Sequence, residues 1–101
     1  MKAARVHSFG PPKVIALEDV PKPEPGDGEV LVQVKAAGVG PWDALIRSGK
    51  SVLPQPLPLT LGSDLSGVVY SVGPRVERFK IGDEVFGVTN ERFTGAYAEY
   101  A

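Results

Sequence analysis

The chain has 101 residues, 43% of them apolar and 23% charged, which suits one globular domain with a modest core rather than a disordered or membrane-spanning polypeptide. Its 11 basic and 12 acidic residues leave a formal charge of −1, without the basic surplus that nucleic acid or an anionic membrane surface requires. It contains no cysteine, which removes disulfides, thiolate nucleophiles and every cysteine-based zinc site.

MKAARVHSFG, the first ten residues, has no apolar stretch behind Lys2 and Arg5 and does not read as a signal peptide, so a cytoplasmic location is the expectation. The 12 glycines and 10 prolines imply short strands joined by tight turns. AARVHSF (3–9) predicts a first strand stopped by Gly10-Pro11-Pro12, and VIALEDV (14–20) a returning partner. Pro21, Pro23 and Pro25 then forbid further ladder pairing, and Gly26-Asp27-Gly28 supplies a turn. EVLVQVKAAGV (29–39) is the clearest strand. Val30, Val32, Val34 and Ala36 share one face and Gln33 and Lys35 the other, as in a half-buried strand.

At Gly40-Pro41 the period changes. Pro41 suits the first position of a helix and Gly49 its stop, so a helix of about two turns is predicted over 41–48. Trp42, Leu45, Ile46 and Gly49 are expected to share its inward face. Pro54, Pro56 and Pro58 force an extended crossing. DLSGVVYSVG (64–73) predicts a second strong strand, in which Gly67 marks a bulge or a close backbone approach. A turn at Lys80–Asp83 leads into a strand over 84–88, TNERFT is a polar loop, and GAYAEYA (95–101) begins a final strand. Six short strands and one small helix predict a mainly β, partly open barrel.

In this order MKAARV, GEVLVQVKAAGVGPWD, LPLTLGSDLSGVV, VERFKIGDEVFG and GAYAEYA resemble the N-terminal half of the medium-chain dehydrogenase/reductases. The likeness is strongest to their zinc-independent, NADPH-using quinone oxidoreductase branch and runs over essentially the whole chain. It implies a GroES-like barrel serving as the catalytic or substrate domain. In that family a Rossmann domain follows and holds the nicotinamide cofactor, after which the chain returns to the barrel. No G-x-G-x-x-G occurs here, so the expectation is a domain truncated at its C-terminal end, inactive alone, whose parent binds NADPH.

The resemblance also distributes roles. Many relatives carry a zinc-binding cysteine where this chain has Gly40 and a His-Glu pair where it has Ser63-Asp64. Glycine offers no ligand atom and serine a poor one, so no zinc is expected. His7, the sole histidine, reads as an ordinary strand residue. Asp43 stands where the family keeps an aspartate supporting the cleft, and is the candidate catalytic residue. An acidic side chain in the first helical turn is also explained by the positive end of the helix dipole, and the two roles are compatible. Gly40, Pro41 and Trp42 are the candidate cofactor contacts, although metal-free relatives often place an asparagine at the position of Gly40. Trp42 is either packed in the core or a wall of the cleft. Ile46, Ser63 and Asp64 are the candidate substrate pocket, and Arg47 reads as a solvated cation. Gly62–Gly67 is glycine-flanked but leads into a strand, whereas a phosphate loop opens a helix.

Two functional expectations follow. The first is the substrate-domain fragment of an oxidoreductase that passes a hydride from NADPH to a quinone or α,β-unsaturated carbonyl, with no nucleic-acid or membrane partner. The second is a free-standing barrel acting as a binding or assembly module, with SVLPQPLP (51–58) as an apolar contact loop. In either case an exposed strand edge, that of GAYAEYA being the candidate, or an apolar docking face invites a homodimer.

Overall fold

Two three-stranded antiparallel sheets, stitched together by the last seven residues, carry the chain in the computed structural model, which describes residues 1–101. In the first sheet β1 (Lys2–Val6) lies between β2 (Ala16–Asp19) and β4 (Leu59–Thr60). In the second, β5 (Asp64–Val72) lies between β3 (Val30–Ala37) and β6 (Glu84–Val88). The single α-helix, α1 (Pro41–Ser48), leaves the end of β3, and a short 3₁₀ turn spans Pro12–Val14. No helix is long and apolar enough to cross a membrane. The fold is thus mainly β with one short helix, and its sheets do not close into a barrel.

The β-branched runs form the ladders the alternation predicts. β3 and β5 pair over most of their length, with register shifts between Leu31 and Val32 and between Val34 and Ala36. The first shift leaves Tyr70 as the extra residue on β5, and the second leaves Lys35 as the extra residue on β3, so the irregularity beside Gly67 lies on the opposite strand. Gly67 supplies the close approach: a Cβ there would run into the backbone carbonyl of Gln33. Leu31 and Val32, on opposite faces, are both buried, so β3 is covered on two sides at its start, whereas Lys35, Ala36 and Ala37 at its end are exposed.

Several boundaries differ from the sequence expectation. β1 ends at Val6 instead of Phe9, because the chain turns away and Gly10 donates its N–H to the Arg47 carbonyl at the end of α1, 3.0 Å away. β2 is shortened by the 3₁₀ turn, and β4, only two residues long, lies hidden after the prolines.

GAYAEYA does not form a continuous strand. Its backbone switches partners, leaving isolated bridges at Ala3–Ala98 and Gln33–Tyr100. The Tyr97 carbonyl accepts from Ala4 (2.8 Å), Glu99 donates to the Lys2 carbonyl (3.1 Å), the Glu99 carbonyl accepts from Val34 (2.9 Å), and Ala101 and Val32 exchange bonds of 2.7 and 3.0 Å. Backbone groups expected to bind a second copy are therefore already engaged within the chain.

The core sits beneath α1. Val6, Ile46, Leu59 and Leu61 form a buried cluster, with Val14 and Tyr97 packed against it. Each fully buried aliphatic side chain of this kind stabilises the fold by roughly 1.5–3 kcal/mol. Ile46 therefore belongs to the core and not, as expected, to a substrate pocket: it is 3% exposed, and its neighbours are aliphatic.

Candidate functional site

Gly40 is the N-cap of α1, in extended conformation (φ −120°, ψ 166°), and Pro41 takes the first helical position, where its missing N–H is no loss. Gly49 ends the helix in the left-handed region (φ 82°) and donates its N–H to the Ile46 carbonyl. The inward face is not the expected one. Asp43 and Ile46 are buried, whereas Trp42 and Leu45 are 44% and 49% exposed. The helix is rotated because the Asp43 carboxylate has partners inside.

Those partners are specific. Oδ2 of Asp43 accepts the Gly40 N–H at 2.9 Å, the carboxylate half of a capping box, and the Tyr97 hydroxyl at 3.0 Å. The Gly38 carbonyl stands 3.3 Å from the same hydroxyl, but its one proton goes to the nearer, charged acceptor. Asp43 Oδ1 is buried with no donor in the chain. Burial first, then the bond to Asp43 and the negative charges of Asp43 and Asp64, push the Tyr97 hydroxyl up from 10.0 to about 12. The Tyr97 ring reaches this position across Gly62, at φ +94°, where a Cβ would strike it.

Outward of this knot lies an open cavity of about 410 Å³ lined by Trp42, Ser63, Asp64, Val88 and Phe93. Trp42 Nε1 donates to Ser63 Oγ at 2.7 Å, which ties the helix to the start of β5. Ser63 is 1% exposed and Thr89 donates its N–H to the Ser63 carbonyl at 2.8 Å, so the floor is rigidly tied. Val88 and Phe93 are 56% and 41% exposed, which makes the walls apolar and accessible. Such walls suit an apolar small molecule.

Of the residues expected at a site, Trp42, Ser63 and Asp64 meet in this cavity, and Gly40 and Pro41 form the corner beside it. Asp43 is turned inward, 5% exposed, and does not line it. Arg47 is half-buried, and its Nε is buried without an acceptor in the chain. His7 lies just beyond β1, with Nε2 2.8 Å from Glu18. A larger gap, of about 700 Å³, opens between the two sheets and is lined by Met1, Arg5, Leu31, Thr60 and Ala98 among others, none of them an expected site residue. Its position follows from the unclosed sheets and not from any gathering of reactive groups.

Sequence reasoning missed Phe93, Val88 and Tyr97. Phe93 was the one visible signal, a single aromatic in a polar loop, held there at φ +60°. Nothing in the local pattern ties Tyr97 to Asp43, 54 residues away.

Residues 26–101 match the alcohol dehydrogenase GroES-like domain family. The quinone oxidoreductase of Sus scrofa is 48% identical over all of this chain, which spans 30% of that protein. Among solved structures, the quinone oxidoreductase from Coxiella burnetii superposes with a TM-score of 0.91 at 40% identity, covering 99% of this chain and 33% of that one. The Escherichia coli quinone oxidoreductase complexed with NADPH also gives 0.91, at 32% identity over 100% of this chain and 30% of that one. This chain is thus about a third as long as the proteins it matches. It belongs to the alcohol dehydrogenase GroES-like domain family and, within the medium-chain dehydrogenase/reductases, stands with the quinone oxidoreductases.

Proposed function

We propose that these residues form the acceptor-side domain of an NADPH-dependent oxidoreductase that reduces a quinone or an α,β-unsaturated carbonyl by hydride transfer. One observation carries the proposal: in a chain of the quinone oxidoreductase family, Trp42, Ser63 and Asp64 converge on an apolar-walled cavity at the strand-to-helix corner.

The residues present fit one end of a dinucleotide only. The Gly40 amide at the helix start is committed to Asp43, and no glycine-rich strand–turn–helix occurs in the sequence, so the pyrophosphate has no seat here. Gly40, Pro41 and Trp42 are proposed to face the nicotinamide ring. NADPH, bound by the rest of a longer protein, supplies the hydride.

The chain's own part is positioning and exclusion of water. Trp42, Val88 and Phe93 hold the acceptor ring in an apolar setting, and Ser63 and Asp64 form the polar end of the cavity. Asp43, buried away from the cavity, acts as a positioning residue by tying the helix start to Tyr97. Zinc plays no part in this proposal. Gly40 has no donor atom, the Ser63 oxygen is engaged by Trp42, and no three His, Cys, Asp or Glu side chains converge. A cytoplasmic location and a homodimer along the outer side of β6 complete it.

Joined to a dinucleotide-binding domain of the relatives' kind, these residues are expected to consume NADPH when a quinone or enone is added. Residues 1–101 alone are expected neither to consume NADPH nor to bind it at micromolar concentration in a calorimetric titration. A longer protein that oxidises NADPH with no such acceptor defeats the proposal.

A further inference from the structure

The indole of Trp42 occupies the space that a side chain at position 40 would fill. A Cβ built on Gly40 would stand 2.6 Å from both Cε2 and Cζ2 of Trp42, well inside contact distance. The backbone at Gly40 is extended, at φ −120°, and any residue adopts it. Glycine here answers a need for room and not for an unusual backbone. With that room the indole folds over the corner, and its N–H is fixed to Ser63 Oγ at 2.7 Å. Both ends of the ring are thereby located: the six-membered ring over Gly40, the pyrrole nitrogen on Ser63.

A tryptophan held this way still leaves 44% of its surface exposed, and that surface lines the cavity shared with Val88 and Phe93. Large aromatic faces lie exposed at an energetic cost unless something covers them. The carboxylate of Asp64 at the same cavity disfavours an anionic occupant. We propose that Gly40, Trp42 and Ser63 act as a specificity unit, in which the fixed indole selects a flat, uncharged conjugated ring over an open-chain carbonyl compound. Trp42 makes the contact, while Gly40 and Ser63 act through it as positioning residues. This deepens the proposed function and rests on it for the source of the ring, which is either the acceptor or the nicotinamide.

Trp42 is the only tryptophan, so its indole N–H gives a single reporter resonance in an ¹⁵N-labelled sample of this chain. Duroquinone stands for a ring acceptor, nicotinamide for the cofactor ring, and mesityl oxide for an open-chain enone. At least one of the two rings is expected to shift the Trp42 resonance saturably, with a dissociation constant about tenfold below that of mesityl oxide. Which ring does so identifies its source. Gly40→Ala, whose backbone is unstrained, is expected to displace the indole and abolish the tenfold preference. Ser63→Ala is expected to lower the preference and speed exchange of the indole N–H with water, and Ser63→Thr, which keeps a hydroxyl, to restore both. Equal affinity for rings and enone, no response of Trp42 to either ring, or a preference that survives Gly40→Ala overturns the inference. None of these outcomes involves NADPH consumption, so the inference and the proposed hydride transfer fail separately.

Discussion

The Tyr97 hydroxyl donates to Oδ2 of Asp43 over 3.0 Å, joining the start of α1 to the C-terminal segment across 54 residues of sequence. Asp43 in turn holds the Gly40 amide, so the corner that shapes the cavity depends on a residue far along the chain.

This bond has a pH signature. Burial and the neighbouring carboxylates favour the neutral hydroxyl, so the folded Tyr97 titrates near 12 while the unfolded side chain titrates near 10.0. The stabilisation is complete below pH 10 and is lost as pH rises through 12. Urea unfolding midpoints are expected to fall between pH 10 and 12, and Tyr97→Phe to remove part of that fall. Equal slopes for the two proteins would disprove the linkage.

Charge and hydrogen bonding at Asp43 are separable. Both donors meet the same oxygen, Oδ2, while Oδ1 has no partner in the chain. Asparagine with its carbonyl in the place of Oδ2 keeps both bonds, so Asp43→Asn is expected to change stability by no more than about 1 kcal/mol. Asp43→Ala strands the Gly40 amide and the Tyr97 hydroxyl and is expected to cost roughly 2 kcal/mol or more. Chemical denaturation of the two variants measures the difference. A loss as large for asparagine as for alanine would mean that the charge, and not the geometry, holds the corner.

What was legible in the sequence follows range of interaction. The strand over 84–88 and the helix from Pro41 to Ser48 have the predicted bounds, because alternation, Pro41 and Gly49 act within a few residues. The helix face was misjudged because apolar spacing put Trp42 and Leu45 inward, whereas Asp43 was drawn in by a tyrosine no local pattern reveals. β4 is too short for any period to show, and GAYAEYA divides its bonds between two sheets, a choice made by packing. At the site, Ser63 and Asp64 are singled out by family resemblance and Trp42 by its place at the head of the helix, and the three meet at one cavity. Ile46 was misassigned because a helical spacing does not separate a core-facing residue from a cavity-facing one.

Gly62 makes the position of Tyr97 possible. At φ +94° an L side chain is strained by roughly 1–2 kcal/mol, and its Cβ would also collide with the tyrosine ring. Gly95, at φ +108°, faces open space, with nothing within 4 Å of where a Cβ would stand, and so isolates the backbone cost. Gly62→Ala is expected to destabilise by about 2–4 kcal/mol, the overpacking adding to the strain, and Gly95→Ala by only the strain. Similar thermal midpoints for the two variants would show that the Tyr97 ring yields freely.

The outer side of β6 is the remaining unpaired ladder of the second sheet, and Phe86 on it is 90% exposed. An edge strand with a bare aromatic attracts another strand unless charge or cover protects it. Glu84 is the only charged residue of β6; by the alternation of the strand it shares a face with Phe86 and Val88, but it stands at the first position and leaves the remaining four residues without charge. The C-terminal segment offers no alternative edge, since its backbone is bonded to β1 and β3. Sedimentation velocity is therefore expected to show a concentration-dependent dimer, and Phe86→Glu to shift it to monomer without altering the thermal midpoint of the monomeric fold. A wild-type chain that stays monomeric at millimolar concentration would show that β6 is protected by its twist and not by a partner.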